Sequence, residues 1–362
     1  MSDRVISSEY MHWAKTCTGA RFNLASSDLL HYPLAGLPVS LGELEINGPG
    51  GYGYAPLLEA IAEHSRVQPG CVVTSFGTSM ANHLAMAALI QPGDEVLIEH
   101  PTYELIESTA GYLGARLKHF SRRFENKFAL DVHEIRNAVS SNTRLIIITN
   151  LHNPGSALTA EDTLAQIGEI AASAGATVLV DEVYLDAVFD RPQRSAVHLG
   201  PNFVTTNSLT KVYGLSGLRC GWILAQPSLA EKMWRLADLF YSSPVHMAES
   251  ISVTVFKNLH TLQNRTRNLL EANGRIINQF YESRSDLSFI PHEQGLVAFP
   301  RLRGVDVEKL CAHLRSEYDT IVVPGRFFGM PEHIRIGVGR ETDILSEGLR
   351  RLSSALDDLG GR

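Results

Sequence analysis

Cysteine is scarce in this chain: Cys17, Cys71, Cys220 and Cys311 are the four in 362 residues, far apart and with no CxxC pair. That spacing excludes a zinc ribbon and a dense disulfide framework, and it fits a reducing, cytoplasmic setting. Long apolar runs are also missing, since none approaches the roughly 20 residues that a membrane helix needs. The first residues carry Asp3, Arg4, Ser7, Ser8 and Glu9 where a secretory signal needs an apolar core. Basic surplus is absent as well. Thirty-two Lys and Arg stand against 39 Asp and Glu, a net charge of -7, and no basic stripe offers itself to nucleic acid. Neither GxGxxG nor GxxxxGK[ST] occurs in the required context, which argues against a nucleotide phosphate. No histidine cluster or Asp-rich run has ligand spacing, so no metal is expected. Internal repeats and low-complexity segments are lacking too.

What is present is ordinary globular composition, 44% hydrophobic and 20% charged, over a length that allows more than one domain. From residue 71 onward short apolar runs alternate with helical periodicity. Strands are expected over 71–75, 96–99, 116–120, 145–149, 177–180, 203–206 and 222–225, with helices over 80–90, 103–113 and 164–174 among them. This alternation reads as α/β architecture around a mostly parallel sheet covered by helices on both sides. The alternation stops after 225, and helical periodicity holds from 229 to about 281. Strand-like stretches follow at 296–299 and 333–338. A closing helix carries Leu345, Leu349, Leu352, Leu356 and Leu359 on one face, with Thr342 as its candidate N-cap. The expected organisation is an irregular N-terminal arm over 1–30, a large domain over 31–255, and a smaller α+β domain over 256–362 that the arm joins. A glycine-rich loop, Gly48 to Tyr54, precedes a helix beginning near Leu57.

Lys211, in Ser208-Leu209-Thr210-Lys211, sits in a loop between two strand-like runs, and Arg219 follows eight residues on. Alone it means little, because an unperturbed lysine has a pKa of about 10.4 and most loop lysines are solvated charges. Its company changes the reading, because ligands of parallel sheets bind beyond the carboxyl ends of the strands. Gly77-Thr78-Ser79 is a turn into a helix, whose free N–H groups suit a phosphate, although an ordinary strand-to-helix turn looks the same. Asp181 follows the run 177–180 directly, with Glu182 beside it and Tyr184 three residues on; such an Asp can also cap a helix. Asn153-Pro154-Gly155 follows the run 145–149 and is equally common as a structural turn. Tyr103, after 96–99, can stack on a planar ring or cap a core. Arg335 stands inside an apolar strand and needs an anion, for which a carboxylate is the best geometric match. Together these groups describe one ligand: a phosphate, an aromatic ring with a basic nitrogen, an aldehyde for the lysine, and a substrate carboxylate. Pyridoxal 5′-phosphate has the first three parts and acts on molecules that carry the fourth.

On these motifs the chain resembles the fold-type I pyridoxal-phosphate enzymes, specifically the class I/II aminotransferases, from Tyr52 to the closing helix. The resemblance implies their seven-stranded type of sheet and a homodimer with active sites at its interface. It implies that Lys211 forms the Schiff base, that Ser208 and Arg219 hold the phosphate with Gly77, Thr78 and Ser79, and that Asp181 pairs with the ring nitrogen. Asn153 and Tyr184 would bond the phenolic oxygen of the cofactor, Tyr103 would stack on its ring, and Arg335, with Asn153, would take the substrate α-carboxylate. Tyr52, or its neighbour Tyr54, would reach the phosphate of the adjoining subunit. Three places depart from the family pattern: Asn153-Pro154-Gly155-Ser156 in place of Asn-Pro-Thr-Gly, Ala25-Ser26-Ser27-Asp28 in place of a glycine-containing substrate loop, and Glu293-Gln294-Gly295-Leu296. They leave the cofactor set intact and the substrate open. The expected reaction is amino transfer between an L-amino acid and a 2-oxo acid. Lys211, Asp181 and Tyr184 would be its catalytic residues. The alternative is a lyase, decarboxylase or cyclase that uses the same cofactor. A non-catalytic ligand-sensing domain is more remote, given the absent basic patch and the little space before Tyr52.

Overall fold

A computed structural model describes residues 5–191 and 193–360. Its centre is a seven-stranded sheet. Across it the strands run Val72–Phe76, Cys220–Leu224, Phe203–Ser208, Thr177–Asp181, Thr143–Thr149, Glu95–His100 and Arg116–Ser121. All neighbours pair in parallel except Cys220–Leu224, which is antiparallel to both of its neighbours. Runs such as Leu145 to Ile148 and Val178 to Val180 are buried on both faces, and the period of two sorts them. Leu145, Ile147 and Leu179 meet the helices Gly77–Leu89 and Pro227–Ala237, whereas Ile146, Ile148, Val178 and Val180 meet Val132–Ala138 and Glu161–Ser173.

The one reversed strand explains where Lys211 lies. A parallel neighbour would need a long crossover. Because Cys220–Leu224 instead returns antiparallel, with Ser208 opposite Gly221, residues 209–219 stay as a loop at the carboxyl edge of the sheet. The N-terminal arm packs on that loop: Leu29 N–H donates to the Lys211 carbonyl (2.9 Å) and Tyr32 N–H to that of Gly214 (3.1 Å). A side chain at Gly214 would place its Cβ 2.3 Å from the Leu30 carbonyl oxygen.

Beyond the large sheet, Val297–Ala298, Ile334–Gly337 and Val323–Pro324 form a three-stranded antiparallel sheet in the smaller C-terminal α+β part. Phe22–Asn23 from the arm pairs in parallel with Thr320–Ile321. The helices Leu259–Glu282, Val307–Tyr318 and Thr342–Leu359 close this part. A single apolar cluster runs from Leu57 and Trp222 through Leu262 and Ile277 to Leu310 and Leu352. Among the described residues no helix is long and apolar enough to cross a membrane.

Several expectations shift. The arm is not wholly irregular: Glu9–Thr16 is a helix, started by the Ser8 hydroxyl, which accepts from Met11 N–H, and by Glu104, which accepts from Glu9 and Tyr10 N–H (2.9 and 2.6 Å). Eight residues are too short to be helical by propensity, so the helix depends on such contacts, the distant Glu104 among them. The turn 77–79 is already the first turn of Gly77–Leu89. The stretch 229–281 divides into Pro227–Ala237, His246–Lys257 and Leu259–Glu282. Thr342 does not cap the last helix; Glu341 holds that position, and the Thr342 hydroxyl donates to Asn273 Oδ1 (2.9 Å).

Candidate active site

A cavity of about 210 Å³ opens at the carboxyl edge of the sheet, and Thr78, Ser79, Tyr103, Asn153, Asp181, Tyr184, Ser208, Lys211 and Arg219 all line it. Residues separated by more than a hundred positions meet there because most end a strand or lie in the segment after one, while Arg219 leads into the reversed strand Cys220–Leu224, which starts at this same edge.

Asp181 closes the strand Thr177–Asp181 and is buried. Asn82 Nδ2 donates to Oδ2 (2.7 Å) and Val183 N–H to Oδ1 (3.0 Å), while the Thr206 hydroxyl fixes Asn82 by donating to its Oδ1 (2.6 Å). Burial pushes the Asp181 carboxyl up to about 6, against the opposing pull of Asn82 and the Val183 N–H. A buried carboxylate in this state is best completed by a hydrogen-bonded cation. Glu182 faces the other way: it accepts from the Ser195 hydroxyl and Ala196 N–H (both 2.7 Å), and burial pushes it up to about 8.

Opposite, the helix Gly77–Leu89 begins without a side-chain cap, so its first N–H groups point outward at the positive end of the helix. The Thr78 and Thr210 hydroxyls are buried and have no hydrogen-bond partner among the described residues. The Ser208 hydroxyl accepts from Thr210 N–H (3.2 Å), and Arg219 crosses the helix start, donating to the Phe76 carbonyl (3.0 Å). Gly77, which adjoins the cavity, has φ +74°, and a Cβ there would lie 2.3 Å from Arg219 Nη2. Only glycine lets the guanidinium lie over this helix start. Uncapped N–H groups, orphaned hydroxyls and an arginine form a cradle suited to a phosphate.

Lys211 projects between these two ends. Its Nζ donates to Ser27 Oγ (3.1 Å) and to the Asp28 carboxylate. Burial works against its charge, yet Asp28 and the phenol groups of Tyr184 and Tyr103 outweigh that and hold its pKa above the ordinary lysine value. Tyr184 is buried, and Tyr103 donates its hydroxyl to Met11 Sδ (3.4 Å). Arg335 is buried directly behind the wall: Nη1 donates to Asn153 Oδ1 (3.3 Å), and Nη2 to the Tyr10 hydroxyl (2.7 Å) and the Ala25 carbonyl (3.2 Å). Its Nε has no partner, and it forms no ion pair among the described residues.

Tyr52 stays apart from the cavity. It is half exposed, donates to Asp238 Oδ2 (3.0 Å) and leans on Trp234, while Tyr54 packs against His246. Sequence reasoning missed Asn82, whose signal was an amide one turn into an otherwise alanine-rich helix. It missed Tyr10 and Met11, which had no periodic signal, and it noted Ser27 and Asp28 only as a departure. No group of three or more His, Cys, Asp or Glu is arranged to hold a metal among the described residues.

The aminotransferase class I and II family matches residues 45–352. Capreomycidine synthase of Streptomyces vinaceus is 31% identical over 353 residues, covering 93% of this chain and 90% of that protein. The structure of a PLP-dependent aminotransferase from Streptococcus suis 89-1591 superposes with a TM-score of 0.91 at 24% identity, covering 97% of each chain. That of the PLP-dependent cyclase OrfR superposes with a TM-score of 0.86 at 22% identity, covering 92% of each.

Proposed function

The chain belongs to the class I and II aminotransferases, a family that uses pyridoxal 5′-phosphate, and on that premise we propose that it moves an amino group between an L-amino acid and a 2-oxo acid. The observation that carries this reading is the pairing, across one small cavity, of the Lys211 amine with a buried, cation-seeking Asp181 and an uncapped helix start. The cofactor fits what is there: the orphaned Thr78 and Thr210 hydroxyls and the cradle that only Gly77 leaves open both ask for an anion.

Thr78, Ser79, Ser208 and Arg219 would hold the phosphate, Asp181 the ring nitrogen, Asn153 and Tyr184 the phenolic oxygen, and Tyr103 the ring face. When bound, the cofactor supplies an electron sink for the charge left at the substrate Cα. Lys211 would be the attachment point, and its freed, neutral Nζ would take the Cα proton and deliver it to the cofactor carbon on the far side of the amino nitrogen. Arg335 receives the α-carboxylate. Its unpaired Nε and its position behind Asn153 make it the anchor that orients the Cα–H bond toward Lys211. Tyr52, half exposed and bonded to Asp238, whose chain neighbours Leu239 and Phe240 are exposed as well, is proposed to serve the neighbouring subunit of a homodimer.

A second reading, cyclisation or elimination at the same centre, is favoured by the names of the two relatives called a synthase and a cyclase. Incubating the cofactor-loaded protein with an amino-acid panel and either pyruvate or 2-oxoglutarate separates the two. Transfer produces a new amino acid in step with a new 2-oxo acid. Consumption of the donor without any amino acid formed from the acceptor sinks the transfer reading.

A further inference from the structure

We propose that the loop carrying Ser27 and Asp28 selects a substrate amino acid with a cationic side chain, the Asp28 carboxylate receiving its ammonium or guanidinium group. This rests on the cofactor reading above and names the substrate class of the same site. Four charged residues line the cavity: Asp28, Asp181, Lys211 and Arg219. Three of them already have assignments. Asp181 is held by Asn82 and the Val183 N–H at the far end, Arg219 lies over the helix start, and Lys211 serves as the attachment point. Asp28 differs, because its ion-pair partner is the amine that the reaction itself removes.

Once Lys211 is covalently engaged, the Asp28 carboxylate keeps no ammonium beside it. The loop backbone is held in place. Leu29 N–H is bonded to the Lys211 carbonyl and Leu30 N–H to that of Gly339 (2.9 and 2.6 Å), and a Cβ on Gly339 would lie 2.8 Å from the Asp28 carbonyl oxygen. Arg340 lies behind the loop, outside the cavity lining, and donates Nη2 to the Asp28 backbone carbonyl (2.6 Å). The side chain remains about a third exposed, on the cavity side. A substrate cation restores the lost pairing, and the Ser27 hydroxyl adds a hydrogen bond beside it. An acidic side chain would meet like charge, because Arg219 and Arg335 are both committed elsewhere. Occupancy has a second effect. A freed Lys211 that returned to Asp28 would be kept protonated, whereas a substrate cation on Asp28 leaves Nζ free to be neutral.

The test uses the cofactor-loaded protein and rapid-mixing absorbance titrations that read binding before turnover. The probes are L-arginine against L-citrulline, and L-lysine against L-norleucine. The cation of each pair should bind about tenfold tighter or better. Asp28→Asn should bring each ratio to within about twofold while changing the citrulline dissociation constant by less than about threefold, and Asp28→Glu should keep part of the preference. A wild-type ratio below about twofold overturns the proposal, as does a ratio that survives Asp28→Asn. Equal weakening of all four probes in Asp28→Asn also overturns it, since that outcome assigns Asp28 to the lysine alone. A protein that takes up no cofactor overturns the cofactor reading first, and this one with it.

Discussion

The two ends of the cavity are built differently. The end holding Asp181, Thr78 and Arg219 is made of strand termini and the turns that follow them, locked by the sheet register: Asp181 lies opposite Thr206, and Ser208 opposite Gly221. The end holding Asp28, Tyr10 and Arg335 is made by the N-terminal arm folding back across the molecule. Its contacts span 183 positions for Lys211 and Asp28 and 325 for Arg335 and Tyr10. The difference teaches that one end is a property of the sheet, fixed before any ligand arrives. The other depends on how a separate segment is docked, and it is where members of one fold can differ in what they accept.

That contrast can be broken first at Asp181. Asp181→Asn keeps the shape but loses the carboxylate, and turnover should fall about 100-fold or more in steady-state kinetics, with cofactor still taken up. If turnover is retained, the sheet-built end is not the chemical one. The same variant has a pH signature in the cofactor-free protein. Burial raises the Asp181 pKa from 3.8 to about 6, so the folded state binds more protons than the unfolded state in that interval. Stability should therefore decline as pH rises from about 4 to 6, by roughly 2–3 kcal/mol from this group. Chemical denaturation of Asp181→Asn should lack that share of the decline, and adding cofactor to wild type should oppose it. Next in size is Gly77→Ala. Its Cβ would collide with Arg219 Nη2 at a left-handed φ, and cofactor affinity should drop about tenfold in equilibrium titration. The smallest effect belongs to the arm-built end. Tyr10→Phe removes one hydrogen bond to Arg335, so KM should rise about fivefold with kcat nearly unchanged. A larger loss in kcat than in KM would move Tyr10 out of substrate anchoring.

The same contrast explains what was legible in the chain. Apolar runs such as Leu145 to Ile148 announce buried strands, and the rule that ligands sit beyond the carboxyl ends turns Asp181, Asn153 and Lys211 into site candidates from the sequence alone. The lysine loop was readable because a second strand-like run follows within a dozen residues. Asp28 and Tyr10 were not. Residues 5–30 have no periodicity, the helix Glu9–Thr16 owes its start to Ser8 together with Glu104 some 95 positions away, and nothing local tells an acid beside a lysine from a solvated charge. Thr342 misled for a related reason: a threonine at a helix start usually caps, but here its hydroxyl is claimed by Asn273.

The central claim is that Lys211 is the residue to which the cofactor attaches. Borohydride reduction of the cofactor-loaded protein, followed by digestion and mass spectrometry, tests it most directly. The cofactor mass should appear on the peptide containing Lys211 and vanish in Lys211→Ala. An adduct on another lysine, or one that persists in Lys211→Ala, would contradict it.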